Sequence, residues 1–429
     1  LSSPQARRKR IGLGIAIAAT ALIVCIILMS GREPLSSGPP KVADAEEVRR
    51  GEYLARIGNC ISCHTRRGGA SFAGGVAFTA PDSSLGVLYS SNITPDVATG
   101  IGRWSEAQFL RAMHQGKSPK RGWLFPAFPY NSFTRVTHDD AKAIFAYLGT
   151  VEPARYTPPS NTSFFRLRWG MALWNLFFFE AKRFVPDPVQ SPEWNRGAYL
   201  VNGLGHCGAC HTPRNAFLAE KDSAALSGAT YPDFVAPGQR RAWSAVNLTA
   251  AASGLGAWSM EDLKKYLRTG HSRRAGIFGP MNEVVINGLQ YLTDADARAM
   301  AVYLKSLPAV NESPQQAGEA AQLQSGALIY EQHCEECHLA SGRGAFLKAP
   351  PVAGSAVAQA QDPSSLINVI LYGAKVGEGS PTPFGAWENM KSFGSQLSNE
   401  QVAAVSNYVR ASWGNRGSVV TAADVARQR

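Results

Sequence analysis

Charge is scarce in this chain: only 17% of its 429 residues are Asp, Glu, Lys or Arg, against 45% apolar. That balance excludes a disordered chain and leaves ample material for packed cores. The loops that cradle nucleotides are missing as well. There is no P-loop, and no Gly-x-Gly-x-x-Gly stands in a strand–turn–helix setting. No nucleophile–base pair stands out, and the carboxylates scatter among ordinary helix positions. No arginine-rich run interleaved with aromatics points to nucleic acid, despite a net charge of +11. Methionine, histidine and cysteine are few, at 7, 8 and 7 residues. Their placement therefore carries information.

Six of the seven cysteines fall in three identical patterns: Cys60-Ile-Ser-Cys63-His64, Cys207-Gly-Ala-Cys210-His211 and Cys334-Glu-Glu-Cys337-His338. Cys-x-x-Cys-His is the attachment signature of c-type haem. Two thiols add to the two vinyl groups, and the adjacent imidazole becomes the proximal iron ligand. Composition alone predicts roughly 0.002 chance matches. Zinc knuckles pair at short separations, whereas these patterns stand 147 and 127 residues apart. A thioredoxin-like redox pair needs no following histidine. Three covalent haem c groups are expected, with His64, His211 and His338 on the irons.

Arg7, Arg8, Lys9 and Arg10 precede an uncharged apolar run from Ile11 to Ser30. At 1.5 Å per residue it reaches about 30 Å, the thickness of a bilayer core. It is longer than a cleaved signal region and lacks a small-residue ending. The expectation is an uncleaved single-pass anchor. Its basic tip would be cytoplasmic and everything after Arg32 periplasmic. Cys25, inside the span, reads as a small apolar residue. The first segment is thus 1–32, followed by a Pro/Ser/Gly-rich linker over 33–44.

A repeat follows. Arg50-Gly-Glu-Tyr-Leu54 precedes the first motif and Arg196-Gly-Ala-Tyr-Leu200 the second. Asn92-Ile-Thr94 and Trp104-Ser105 echo Asn247-Leu-Thr249 and Trp258-Ser259. The Trp-Ser pairs predict Ser-capped helices over 105–115 and 259–269, ended by Gly116 and Gly270. Thr137, Thr293 and Ser398 each open a closing helix. The third copy is shorter and lacks the Asn-x-Thr element. Three mono-haem helical domains are read at 45–155, 190–310 and 320–415, with a connector over 156–189 and a tail over 416–429.

The sixth iron ligand is sought ahead of each closing helix, since Met opposite His raises the reduction potential. Met281 and Met390 occupy that place in the second and third copies. The first copy has Phe128 there, in Pro126-Ala-Phe-Pro-Tyr130, and phenylalanine cannot ligate iron. Aligning the Trp-Ser helices sets Met113 over Leu267, a core-facing position, and His114 over Arg268, a solvent-facing one. Met113, His114, His138 or a five-coordinate iron remain open.

These residues resemble a family: the tri-haem cytochrome c subunits of membrane-bound quinone-reducing dehydrogenases. The matching text includes Ser90-Ser-Asn-Ile-Thr-Pro-Asp96, Gln290-Tyr-Leu-Thr-Asp-Ala-Asp296, Val302-Tyr-Leu-Lys-Ser-Leu-Pro308 and Ser412-Trp-Gly-Asn415. It runs from about residue 48 to the end. The resemblance implies a mainly α fold of three tandem class I cytochrome c-like domains behind the N-terminal transmembrane helix. Phe128 resembles the branch that accompanies molybdenum hydroxylases, chiefly aldehyde dehydrogenase. That branch implies a large molybdopterin subunit, a small [2Fe–2S] subunit and ubiquinone as acceptor. The chain's own task is then electron transfer and quinone reduction within an oxidoreductase complex. The alternatives are the subunit of a pyrroloquinoline-quinone alcohol dehydrogenase or a flavin sugar or gluconate dehydrogenase, a stand-alone peroxidase-like enzyme, or a free carrier.

The connector holds seven Phe and Trp between Phe164 and Phe179, bracketed by Arg166, Arg168, Lys182 and Arg183. It is too short to span a bilayer. Either it lies at the membrane interface, where Arg166, Trp169 and Trp174 would meet lipid or ubiquinone, or it packs between the first two domains.

Overall fold

The computed structural model describes residues 20, 34–35, 44–79, 85–162, 168–236, 239–310, 319–345, 348–374 and 389–429. The expected anchor over 11–30, apart from Thr20, and Arg166 of the connector lie outside the described residues. No helix among the described residues is long and apolar enough to cross a membrane.

The chain is mainly helical. Helix α1 (Ala45–Ile57) starts where the Asp44 carboxylate accepts from the Glu47 amide at 2.8 Å. The first Cys-x-x-Cys-His forms the short α2 (Cys60–His64). A hairpin, β1 (Ala77–Thr79) and β2 (Val87–Tyr89), leads to α3 (Glu106–Gln115). A second hairpin, β3 (Lys117–Ser118) and β4 (Gly122–Trp123), is followed by α4 (Tyr130–Phe133) and α5 (His138–Leu148). The connector contributes α6 (Gly170–Phe178). The pattern then recurs with α7 (Pro192–Tyr199), continued by a π turn, and α8 (Gly208–His211). Strands β5 (Ala229–Ala236) and β6 (Gln239–Ala245) precede α9 (Met260–Thr269), α10 (Met281–Asn287) and α11 (Asp294–Ser306). Last come α12 (Ala320–His333), α13 (Glu335–His338), α14 (Ser364–Tyr372), α15 (Asn399–Ala411) and α16 (Ala422–Gln428).

The expected caps are present. Ser105 and Ser259 close reciprocal capping boxes at α3 and α9, which end at left-handed Gly116 and Gly270. Thr137, Thr293 and Ser398 cap α5, α11 and α15.

Three helix crossings repeat along the chain: α1 on α5, α7 on α11 and α12 on α15. Each has a glycine where the backbones touch. A Cβ on Gly51 would stand 1.8 Å from the Ala143 carbonyl oxygen. One on Gly197 would stand 2.0 Å from that of Ala299, and one on Gly326 2.1 Å from that of Ala404. Only glycine allows so close an approach. Tyr147, Tyr303 and Tyr408 then pack over the same three glycines.

The buried apolar residues divide unequally. One continuous core runs from Leu54 to Leu304 and unites the first two crossings. A second, from Ile329 to Val425, surrounds the third. Between them, Ser244 of β6 donates its amide to Ser365 Oγ of α14 at 2.9 Å, and Asn368 Nδ2 donates to the Ala242 carbonyl at 2.8 Å.

The first two crossings exchange side chains in a two-fold manner. Arg196 donates twice to Asp296, at 2.8 and 2.7 Å, and Tyr53 from the first crossing donates to the same carboxylate at 2.7 Å. Its counterpart Asp140 accepts from Arg50 at 2.6 Å and from Tyr199 of the second crossing. The Arg-Gly-x-Tyr motif thus sends its arginine to its own closing helix and its tyrosine to the other. Burial raises the Asp296 carboxyl, but the hydrogen bonds from Arg196 and Tyr53 outweigh it and leave the group below its ordinary value.

Candidate haem sites

Each motif histidine makes the same kind of bond. Nδ1 of His64 lies 2.6 Å from the Ser91 carbonyl, that of His211 2.7 Å from the Val246 carbonyl, and that of His338 2.9 Å from the Pro350 carbonyl. A carbonyl oxygen only accepts, so Nδ1 carries the proton and Nε2 keeps its lone pair. Burial lowers all three imidazoles, favouring the neutral form a metal requires. A fixed ring with a free Nε2 is what a proximal ligand needs.

The Asn-x-Thr elements explain two of these acceptors. Ser91 directly precedes Asn92, and Val246 precedes Asn247. Asn92 Oδ1 accepts from the amide and hydroxyl of Thr94 at 2.9 and 2.7 Å, and Asn247 repeats this with Thr249 at 2.8 and 2.7 Å. Both asparagines are buried. The locked loop therefore aims the carbonyl at the histidine. The sequence displayed the repeat without its purpose; its recurrence downstream of the first two motifs was the available signal.

Around His64 lies an apolar cleft of about 1420 Å³ counted to its open mouth. Cys60, Cys63, His64, Met113 and Phe128 line it together. Burial pushes the thiols of Cys60 and Cys63 up to about 12, as it does those of Cys207 and Cys334. Neutral thiols on an apolar wall suit the vinyl edge of a haem. The residues present therefore fit a covalently held haem. No cluster of three or more His, Cys, Asp or Glu suited to a metal ion occurs among the described residues.

The sixth-position candidates are separated by this geometry. Met113, on α3, lines the cleft and is buried, matching Leu267 in the second copy. Neither His114 nor His138 lines it. His114 departs from its solvent-facing expectation: it is 2% exposed, its ring 5.2 Å from that of His138. The equivalent Arg268 and Asp294 form an ion pair at 3.2 Å. Burial, with Arg183 and His138 adding repulsion, lowers His114 to about 3, and a neutral imidazole can be buried where a guanidinium stays out. Phe128 packs on Phe133 at 5.3 Å. Met281 starts α10 and packs on the first core, as Cys207 does; Met390 and Cys334 both pack on the second.

A histidine on the lining escaped the sequence reading. His206 precedes the second motif yet lines the first cleft, its ring 5.3 Å from Phe133 and its Nδ1 3.0 Å from the Leu204 carbonyl. Only the docking of the two crossings reveals it.

In the connector, α6 buries Met171 and Asn175, and Tyr130 donates to Asn175 Oδ1 at 2.6 Å. Trp174 Nε1 donates to the Phe217 carbonyl at 2.9 Å. The other face is open: Trp169 is 49% exposed, Leu176 71% and Phe177 69%. Both sequence alternatives thus have a face of this helix in their favour.

Comparison with known proteins adds the family. Residues 321–409 match the family described as cytochrome c oxidase, cbb3-type, subunit III. The cytochrome c subunit of the quinone alcohol dehydrogenase of Gluconacetobacter polyoxogenes is 39% identical over 405 residues, covering 90% of this chain and 85% of that protein. The gluconate 2-dehydrogenase cytochrome c subunit of Pantoea cypripedii is 39% identical over 403 residues, covering 89% of each. The chain belongs to the cytochrome c subunits of quinone-linked dehydrogenases. A further relative, a nicotinate dehydrogenase subunit of Pseudomonas putida, is 40% identical over 386 residues, which is 87% of this chain and 31% of that protein. Membership of these cytochrome c subunits implies covalent haem c and a part in electron transfer inside a multi-subunit dehydrogenase.

Proposed function

We propose that this chain is the tri-haem electron-transfer subunit of a quinone-reducing aldehyde dehydrogenase. It takes electrons from periplasmic molybdopterin and [2Fe–2S] subunits and delivers them to ubiquinone. The observation that carries the reading is the threefold Cys-x-x-Cys-His with a carbonyl-fixed imidazole at each copy. Cys60, Cys63, Cys207, Cys210, Cys334 and Cys337 hold three haems in domains over 45–155, 190–310 and 320–415. Bound haem supplies reversible one-electron exchange at its iron. The chain's residues set how readily that exchange occurs. His64, His211 and His338 would hold the irons through Nε2, and Met113, Met281 and Met390 would each offer a thioether; the apolar wall excludes water.

The residues over 11–30 anchor the chain in the cytoplasmic membrane, leaving the haem domains periplasmic. The open face of α6, with Trp169 and the flanking Arg166, lies on lipid and adjoins the quinone, while Trp174 supports the helix. Phe128 in the Pro-Ala-x-Pro-Tyr loop supports the aldehyde branch. The alcohol and gluconate relatives favour a second reading, a pyrroloquinoline-quinone or flavin partner.

The deciding experiment counts haem, molybdenum and acid-labile sulfide per chain in the detergent-solubilised complex. Three haems, one molybdenum and four sulfides support the aldehyde reading. Three haems with pyrroloquinoline quinone or flavin move the partner to the second reading. A haem count below three overturns both.

A further inference from the structure

Two arginines line the first cleft. Arg121 stands in the turn between β3 and β4, and Arg168 just before α6. Both side chains are half-buried. Arg168 donates to the Trp123 carbonyl at 2.9 Å and lies over the Phe125 ring, 5.4 Å from its centre. Neither has a carboxylate partner among the described residues, and the two guanidiniums are near enough to repel. Burial, helped by Arg121, lowers Arg168 to about 10, so it still keeps its proton at neutral pH.

Cations drawn out of water are ordinarily paired. Here they share an apolar wall with Cys60, Cys63 and His64. A haem carries its apolar vinyl edge, the edge the cysteines take, and a second edge with two carboxylates. A third cation on the lining, Lys120, donates to the Ala98 and Gly100 carbonyls at 3.3 Å, which leaves the two planar guanidiniums to match two carboxylates in number and fork geometry.

We propose that Arg121 and Arg168 bind the propionate carboxylates of the haem held by Cys60, Cys63 and His64. This rests on the haem reading of that cleft. It sets the haem's direction: the propionate edge faces the β3–β4 turn and the connector. It also ties the first site to the segment that carries the open apolar face. Two neighbouring cations favour the reduced, less positive iron, so they hold the first haem's potential up.

The test uses the full-length matured chain. Pyridine haemochrome analysis first counts the haems; fewer than three in the wild type would sink the tri-haem reading itself. Spectroelectrochemical titration then compares the wild type with Arg121→Gln and Arg168→Gln. In each variant one of the three one-electron steps is expected to move down, so that the reduced-to-oxidised ratio at the wild-type midpoint drops about tenfold, equivalent to 59 mV. Three unmoved steps, or an equal shift of all three, overturn the proposal. If the glutamine variants lose the first haem, Arg121→Lys and Arg168→Lys replace them. These keep the charge and lose the fork, so the propionate-bending bands in resonance Raman should shift with three haems retained. Unchanged bands overturn the proposal equally.

Discussion

Met113 and Phe128 line the same cleft, yet only the thioether can donate to iron. Met113→Leu substitutes the residue that the second copy carries at this place, Leu267, so packing should survive. The expected outcome is three haems retained, loss of one sulfur–iron charge-transfer absorption band, and a fall in one midpoint potential. An unchanged spectrum would remove Met113 from the iron. The exposed Trp169 gives a second test at this scale. Trp169→Ala should slow quinone reduction several-fold while haem reduction by substrate keeps its rate, measured by stopped flow. Much at this scale was legible in sequence, because chemistry that requires fixed spacing leaves a fixed pattern: the cysteines, the histidines and the capping residues all stand where spacing put them. His114 was not legible. Its alignment partner Arg268 is a cation that stays near solvent, whereas a neutral imidazole accepts burial.

Elements are held by contacts that a single atom can break. At the α1–α5 crossing, Gly51→Ala places a methyl 1.8 Å from the Ala143 carbonyl oxygen. The helices must part, at a cost of about 1–3 kcal/mol. Urea denaturation should show it, and a stability within error of the wild type would mean that the crossing relaxes freely. A cap is worth less: Thr137→Ala should cost about 1 kcal/mol by the same measurement. The helices and their ends could be read from sequence because capping is local, within three residues. The glycines at the crossings could not be given a reason, since the backbone each one meets is about 80 to 100 residues away in the chain.

At the scale of the whole molecule, two apolar cores meet at a polar seam of serines and asparagine. Thermal unfolding should therefore show two transitions, the smaller belonging to the residues after 319. The larger should carry the acid sensitivity of Asp296. Its carboxyl is held below the ordinary value when folded, so its contribution is present above the unfolded value, roughly pH 3.9, and is lost as pH falls through the lower folded value. Asp296→Asn should flatten that acid limb in a pH series of denaturation curves. The tyrosine exchange behind it was beyond sequence reading, because Tyr53 and Asp296 stand 243 positions apart. The exchange has a consequence for current through the molecule. A duplicated scaffold treats its two ends alike, as a wire does, and a wire has no forward direction. Any difference between the first two sites has to come from the places where those copies disagree: Met113 against Leu267, Phe128 against the Met281 loop, the buried His114 beside exposed His138 against Arg268–Asp294. A difference in potential between the two sites would be written in these departures from symmetry.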